Sequence, residues 1–119
     1  MNEREMKQRT KAFTLRIVKL VDAIPKTRCG NAVANQLVHS GSSVGANYRA
    51  LCRAKSQADF INKTSIVEEE ADESAFWLDI TIEAKLLPMR RVEPLLNEAK
   101  EITAIMVASR KTVLRSAAR

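Results

Sequence analysis

The side chains able to do chemistry are few, and their spacing limits what they do. The chain holds one histidine, His39, followed directly by Ser40. A nucleophile and its base must lie within hydrogen-bond reach, with a third group orienting the base. Neighbouring helix positions do not face each other, and no carboxylate falls within a helical turn of His39. The run Glu68-Glu69-Glu70-Ala71-Asp72-Glu73 offers oxygen ligands of the kind di-iron bundles use. Those centres also need Glu-x-x-His motifs on two helices, which one histidine cannot provide. The run reads as a solvated or interface face. No metal, no cofactor and no catalytic residue are expected, and the chain reads as non-enzymatic.

Cys29 and Cys52 are the 2 cysteines. Cys29 falls at a helix start, where the dipole can lower a thiol pKa, but no histidine is near it in sequence. Both read as free thiols of a reducing cytosol. Gly41-Ser42-Ser43-Val44-Gly45 has the glycines of a phosphate loop without its Gly-Lys-Ser/Thr ending or its preceding strand. Its Gly-x-x-x-Gly spacing fits a close helix-packing face better.

Charge leaves polyanion or acidic-partner binding open. The net charge is +6, and it is unevenly spread. Residues 1–60 carry 11 Lys/Arg against 4 Asp/Glu, whereas 61–119 carry 9 against 10. Arg49 and Arg53 are four apart and share a helix face, with Lys55 in the connector that follows. They bind phosphates or pair with acids of the third helix, and the salt bridge is the expected state. A second group, Arg110, Lys111, Arg115 and Arg119, closes the chain. Such segregation binds a polyanion, or sets the basic face of one subunit against the acidic face of another.

These residues must be placed by helices. At 119 residues with 45% hydrophobic and 29% charged content, the chain fits one globular domain, 1–119. Phe13, Ile17, Leu20 and Ile24 repeat as one helix face, with Asn2 and Glu5 as a cap and Pro25 as a stop, predicting a helix over 3–24. Val33, Leu37, Ser40, Val44, Tyr48 and Leu51 predict a second over 31–52. Its small-residue middle, Ser40 to Ala46, makes a loop the rival reading, because two glycines cost a helix about 1 kcal/mol each. Ser56 and Asp59 open a third helix, 57–87, with Phe60, Thr64, Val67, Ala71, Ser74, Leu78 and Ile82 inward and Leu87-Pro88 ending it. A fourth, 94–115, starts near Pro94 and turns Leu95, Ala99, Ile102, Met106 and Val113 inward. Short connectors between long helices predict an all-α, antiparallel up-down-up-down four-helix bundle. No targeting segment or membrane span is visible, and a cytoplasmic protein is expected.

The third helix carries a second apolar stripe, Phe76, Ile80 and Leu87, with Trp77 adjoining. An outer helix face should be polar, so these four are the expected oligomer interface, with a wide monomer core as the alternative. Sequence-specific nucleic-acid readout is not expected, since no helix-turn-helix, zinc finger or aromatic platform is present.

Three stretches carry a family resemblance: Gln36-Leu37-Val38-His39-Ser40-Gly41-Ser42-Ser43-Val44-Gly45-Ala46-Asn47-Tyr48-Arg49, Cys52 to Phe60, and Glu68 to Leu78. In order and spacing they resemble the four-helix-bundle proteins of intervening sequences in 23S rRNA genes, over roughly Phe13 to Leu87. Gln36, Ser40, Ser43 and Asn47 belong to that signature. The resemblance implies an antiparallel bundle assembled as a homopentamer. It also extends to the accessory variability proteins of diversity-generating retroelements, which are basic and non-enzymatic and contact a reverse transcriptase and its template RNA. It thus implies RNA or DNA as one partner, with a reverse transcriptase or another acidic protein as the alternative. Asn47, Arg49 and Arg53 are the signature positions expected to do more than pack. Where many members carry an acid after the Asn-x-x segment, this chain has Ala50.

Overall fold

The structure is a computed structural model that describes residues 1–118; Arg119 of the basic tail lies outside the described residues. Four helices follow in order: α1 (Glu3–Val21), α2 (Arg28–Leu51), α3 (Gln57–Glu83) and α4 (Met89–Ala118). Each packs along the next in an antiparallel bundle about 52 × 22 × 20 Å.

Caps explain where the helices begin. Asn2 Oδ1 accepts from the Glu5 amide at 2.8 Å while Asn2 Nδ2 donates to Glu5 Oε1 at 3.1 Å. Ser56 Oγ accepts from the Asp59 amide at 3.1 Å, and Asp59 accepts from the Lys55 amide and from Lys63 Nζ. The Lys63 ammonium, followed by that Lys55 amide, holds the Asp59 carboxyl below the usual carboxylate range. α2 begins three residues earlier than its apolar period suggests, because Thr27 Oγ1 accepts from the Gly30 amide at 3.0 Å and starts the helix at Arg28. It then runs unbroken through Ser40–Ala46, so the loop reading is not realised.

The ends of α1, α3 and α4 differ from the sequence reading. α1 stops at Val21, ahead of Pro25. α3 stops at Glu83, four residues early, because Lys85 adopts a left-handed φ of 57°. The Lys85 amide donates to the Ile82 carbonyl and the Leu86 amide to the Thr81 carbonyl, both at 3.0 Å. This is a Schellman cap with lysine where glycine is the usual residue. α4 begins at Met89, which puts Pro94 inside the helix rather than at its start, and it continues to Ala118. Both Pro94 and Arg90, whose carbonyl loses its helical donor to the proline, are exposed.

The core is built from the inward stripes. Phe13, Ile17, Leu37, Val44, Val67, Leu78, Val92, Ile102 and Met106 are essentially inaccessible. Each large side chain buried this way contributes about 1.5–3 kcal/mol. Buried hydroxyls are satisfied locally: Thr10, Thr64 and Thr81 each donate to a carbonyl one turn back. Ser74 Oγ donates to Ser40 Oγ across the α2–α3 seam at 2.9 Å. The α1–α4 contact is the slightest of the four, and a forked ion pair closes it. Arg9 Nε and Nη2 reach the two Glu98 oxygens at 2.7 and 2.6 Å, and Nη2 reaches Glu101 at 3.1 Å. The Glu98 carboxylate raises the already high pKa of Arg9.

Candidate nucleic-acid and partner interface

The up-down topology brings four chain segments to one end of the bundle: the starts of α1 and α3 and the ends of α2 and α4. There the α1–α2 seam opens into a groove of about 520 Å³, lined by Lys7, Lys11, Thr14, Ser42, Gly45, Ala46, Arg49 and Arg53. Lys7 and Lys11 are one helical turn apart on α1, and Arg49 and Arg53 one turn apart on α2. Antiparallel packing turns two separate i, i+4 pairs into one field of four cations. Among the described residues lining the groove there is no carboxylate; Glu3 approaches beyond its end, near Cys52 and Tyr48.

Glycine makes the groove floor shallow. A Cβ on Gly41 would lie 2.7 Å from Ile17 Cγ2, and one on Gly45 would lie 2.6 Å from Thr14 Oγ1. The two backbones are therefore close enough for Thr14 Oγ1 to donate to the Gly41 carbonyl at 2.7 Å. The Gly-x-x-x-Gly spacing thus serves helix approach, as read from the sequence.

The expected basic residues divide into three kinds. Arg49 and Arg53 are exposed and form no ion pair among the described residues. The salt bridge expected with the third helix is not made; of the α3 acids, Asp59 is held by Lys63 and Glu68 by Arg110. Arg110 takes that role instead: it pairs with Glu68 and lies 3.5 Å from Ser65 Oγ. As a committed, half-buried ion pair it is not a free contact residue. Lys55, Lys111 and Arg115 are exposed. Lys7 and Lys11 were missed, since their spacing is visible in the chain but their position opposite Arg49 and Arg53 depends on helix register.

The expected oligomer interface also divides. Phe76 is 55% exposed and meets Trp77 edge-on, with ring centroids 4.9 Å apart. Trp77 and Ile80 are half-buried against the core. Leu87 is buried and is withdrawn from the interface, because the Lys85 turn ends α3 and folds Leu87 inward. Of the signature residues, Ser40 is locked to Ser74, Asn47 Nδ2 donates to the Ser43 carbonyl at 2.8 Å, and Gln36 is exposed.

The reactive side chains stand apart. His39 is exposed whereas Ser40 is buried, so they occupy different faces. Burial pushes the Cys52 thiol up, with nearby Glu3 adding to it, and burial pushes Tyr48 up to about 12. Glu70, from the acidic run, has a buried Oε2 without a hydrogen-bond partner. Desolvation, then Glu73, raises its pKa, while His39 across the seam pulls it back. Among the described residues no three His, Cys, Asp or Glu side chains form a metal-holding group. No helix there is long and apolar enough to cross a membrane.

No curated protein matches the chain. Among solved structures, a protein of unknown function from the S23 ribosomal protein family of Bacteroides thetaiotaomicron superposes with a TM-score of 0.83 at 32% identity, over 89% of this chain and 98% of that one. The family model described as 23S rRNA-intervening sequence protein matches residues 2–108. With nearly all of the bundle covered in both sequence and shape, the chain belongs to the 23S rRNA-intervening sequence protein family.

Proposed function

We propose that this is a cytoplasmic, non-enzymatic, homo-oligomeric accessory protein that binds RNA or DNA through the phosphate backbone. The observation that carries this reading is the groove of Lys7, Lys11, Arg49 and Arg53, four cations with no carboxylate among the described residues lining it. Unpaired cations release condensed counterions when they meet phosphates, and this supplies affinity without sequence readout. Among the described residues lining the groove there is no aromatic side chain on which bases could stack. Exposed Lys55, Lys111 and Arg115 extend the positive surface at the same end of the bundle. Self-association, which the resemblance puts at five subunits, multiplies these weak contacts, and the exposed Phe76 supports it.

Fluorescence anisotropy with structured RNA and duplex DNA across a salt series tests the reading. Binding that is comparable for both and weakens steeply with salt is expected. Absence of binding at low salt would overturn it and assign the basic surface to an acidic protein partner, with a reverse transcriptase as the first to try by pull-down.

A further inference from the structure

Beyond the Arg9 ion pair the α1–α4 seam opens into a second hollow, of about 210 Å³, lined by Arg16, Lys19 and Arg91 with buried Leu20 and Leu95. The three cations are exposed and form no ion pair among the described residues. No carboxylate is among the described residues lining the hollow. Glu93 stands two residues from Arg91, a spacing that turns it away on a helix. Asp22 sits at the C-cap of α1, one turn past Lys19. The first turn of α4 carries no acid, so the positive end of that helix adds to the field.

The same seam, two turns away, shows how charge is used when it serves the fold. There Arg9 forks onto Glu98. Arg16 lies seven residues beyond Arg9 on α1, and Arg91 lies seven before Glu98 on α4. Because the helices are antiparallel, both steps run the same way along the bundle, by about 10 Å. The seam therefore sets cation against cation where an acid at position 91 would have repeated the fork. Like charges brought together repel, and an arrangement that costs the fold while keeping its donors unpaired is characteristic of a binding site.

One ridge of α1 joins this hollow to the groove. Lys7, Lys11, Leu15 and Lys19 repeat every four residues, a row that winds slowly around the helix over about 18 Å. No acid occurs between Glu5 and Asp22. Lys7 and Lys11 line the groove, Lys19 lines the hollow, and Leu15 between them is 60% exposed. We propose that the hollow is a second phosphate site, and that one nucleic-acid strand lies along this ridge with phosphates held at both ends. Leu15 then meets the sugar or base between them. The inference rests on the nucleic-acid reading above and extends its footprint across α1. A polymer reaches both sites where a free phosphate ligand reaches one, and binding at the first raises the effective concentration at the second. The two guanidinium forks suit phosphate oxygens.

Anisotropy with a structured RNA across a salt series, paired with thermal melts at low salt, tests this on Arg16→Ala/Arg91→Ala and on Arg91→Glu. The double variant should lower the slope of log affinity against log salt by about 2. Arg91→Glu should weaken RNA binding yet melt higher than wild type, because it restores an acid opposite Arg16; a merely structural arginine would melt lower. A wild-type slope in the double variant, while Arg49→Ala/Arg53→Ala loses slope, would overturn the second site and leave the nucleic-acid reading standing. Pyrophosphate that raises the melting midpoint of wild type but not of Arg91→Glu, with RNA slopes unchanged, would assign the hollow to a free phosphate ligand and overturn the strand path. Wild type that binds no RNA at low salt would remove the nucleic-acid reading itself, and this inference with it.

Discussion

The α1–α2 and α3–α4 seams solve the same packing problem with different chemistry. The first uses glycine: Gly41 and Gly45 let the backbones approach, Thr14 bonds a main-chain carbonyl, and the cations above stay unpaired. The second uses side chains: Val67, Ala71, Ala75 and Leu78 of α3 and Ala99, Ile102 and Met106 of α4 are all buried in the core, and Arg110 is neutralised by Glu68. An arginine on the first seam is free for a partner, whereas one on the second holds the fold. Local sequence does not separate these cases, because Arg49 and Arg110 differ in what stands across the seam.

The contrast breaks most severely at Gly41. Gly41→Leu forces a side chain into fully buried Ile17, and overpacking of this kind costs about 3 kcal/mol. Denaturant melts should show that loss, with the α1–α2 seam losing amide protection before α3–α4. Arg110→Ala removes a half-exposed ion pair and should cost about 1 kcal/mol with RNA affinity nearly unchanged. Arg49→Ala should show the reverse pattern, with normal melting and weakened binding.

Smaller effects sharpen the picture around α3. Lys85→Gly relieves a left-handed lysine and should gain about 0.5–1 kcal/mol, since glycine reaches that region without a Cβ penalty. Glu70→Gln removes a carboxylate whose ionised form burial disfavours. Its folded pKa lies above its unfolded one, so ionisation weakens the fold above the folded pKa, and the penalty fades as pH falls below the ordinary carboxylate range. The variant should therefore be more stable than wild type near neutrality, with the difference vanishing as pH falls below the ordinary carboxylate range, by melts across pH.

Periodicity made the bundle legible, because four amphipathic stripes with two working capping pairs leave little choice of architecture. The ends were less legible. Thr27 acts as a cap through a single hydroxyl, and Lys85 occupies a conformation that its residue type does not announce. Leu87 followed from that error, since a helix taken four residues too far carries its stripe outward when the chain in fact turns inward. At the site, Arg49 and Arg53 were visible as a pair, but their freedom was not. It depends on which helix face the α3 acids occupy, and half the field comes from Lys7 and Lys11, which only tertiary register brings across.

The most direct measurement is the salt dependence of RNA binding for wild type, Arg49→Ala/Arg53→Ala and Arg110→Ala side by side. Loss of two phosphate contacts should lower the slope of log affinity against log salt by about 2 in the groove variant, with Arg110→Ala keeping the wild-type slope. Equal slopes for wild type and the groove variant, or a slope that falls with Arg110→Ala instead, would contradict the division between free and committed cations.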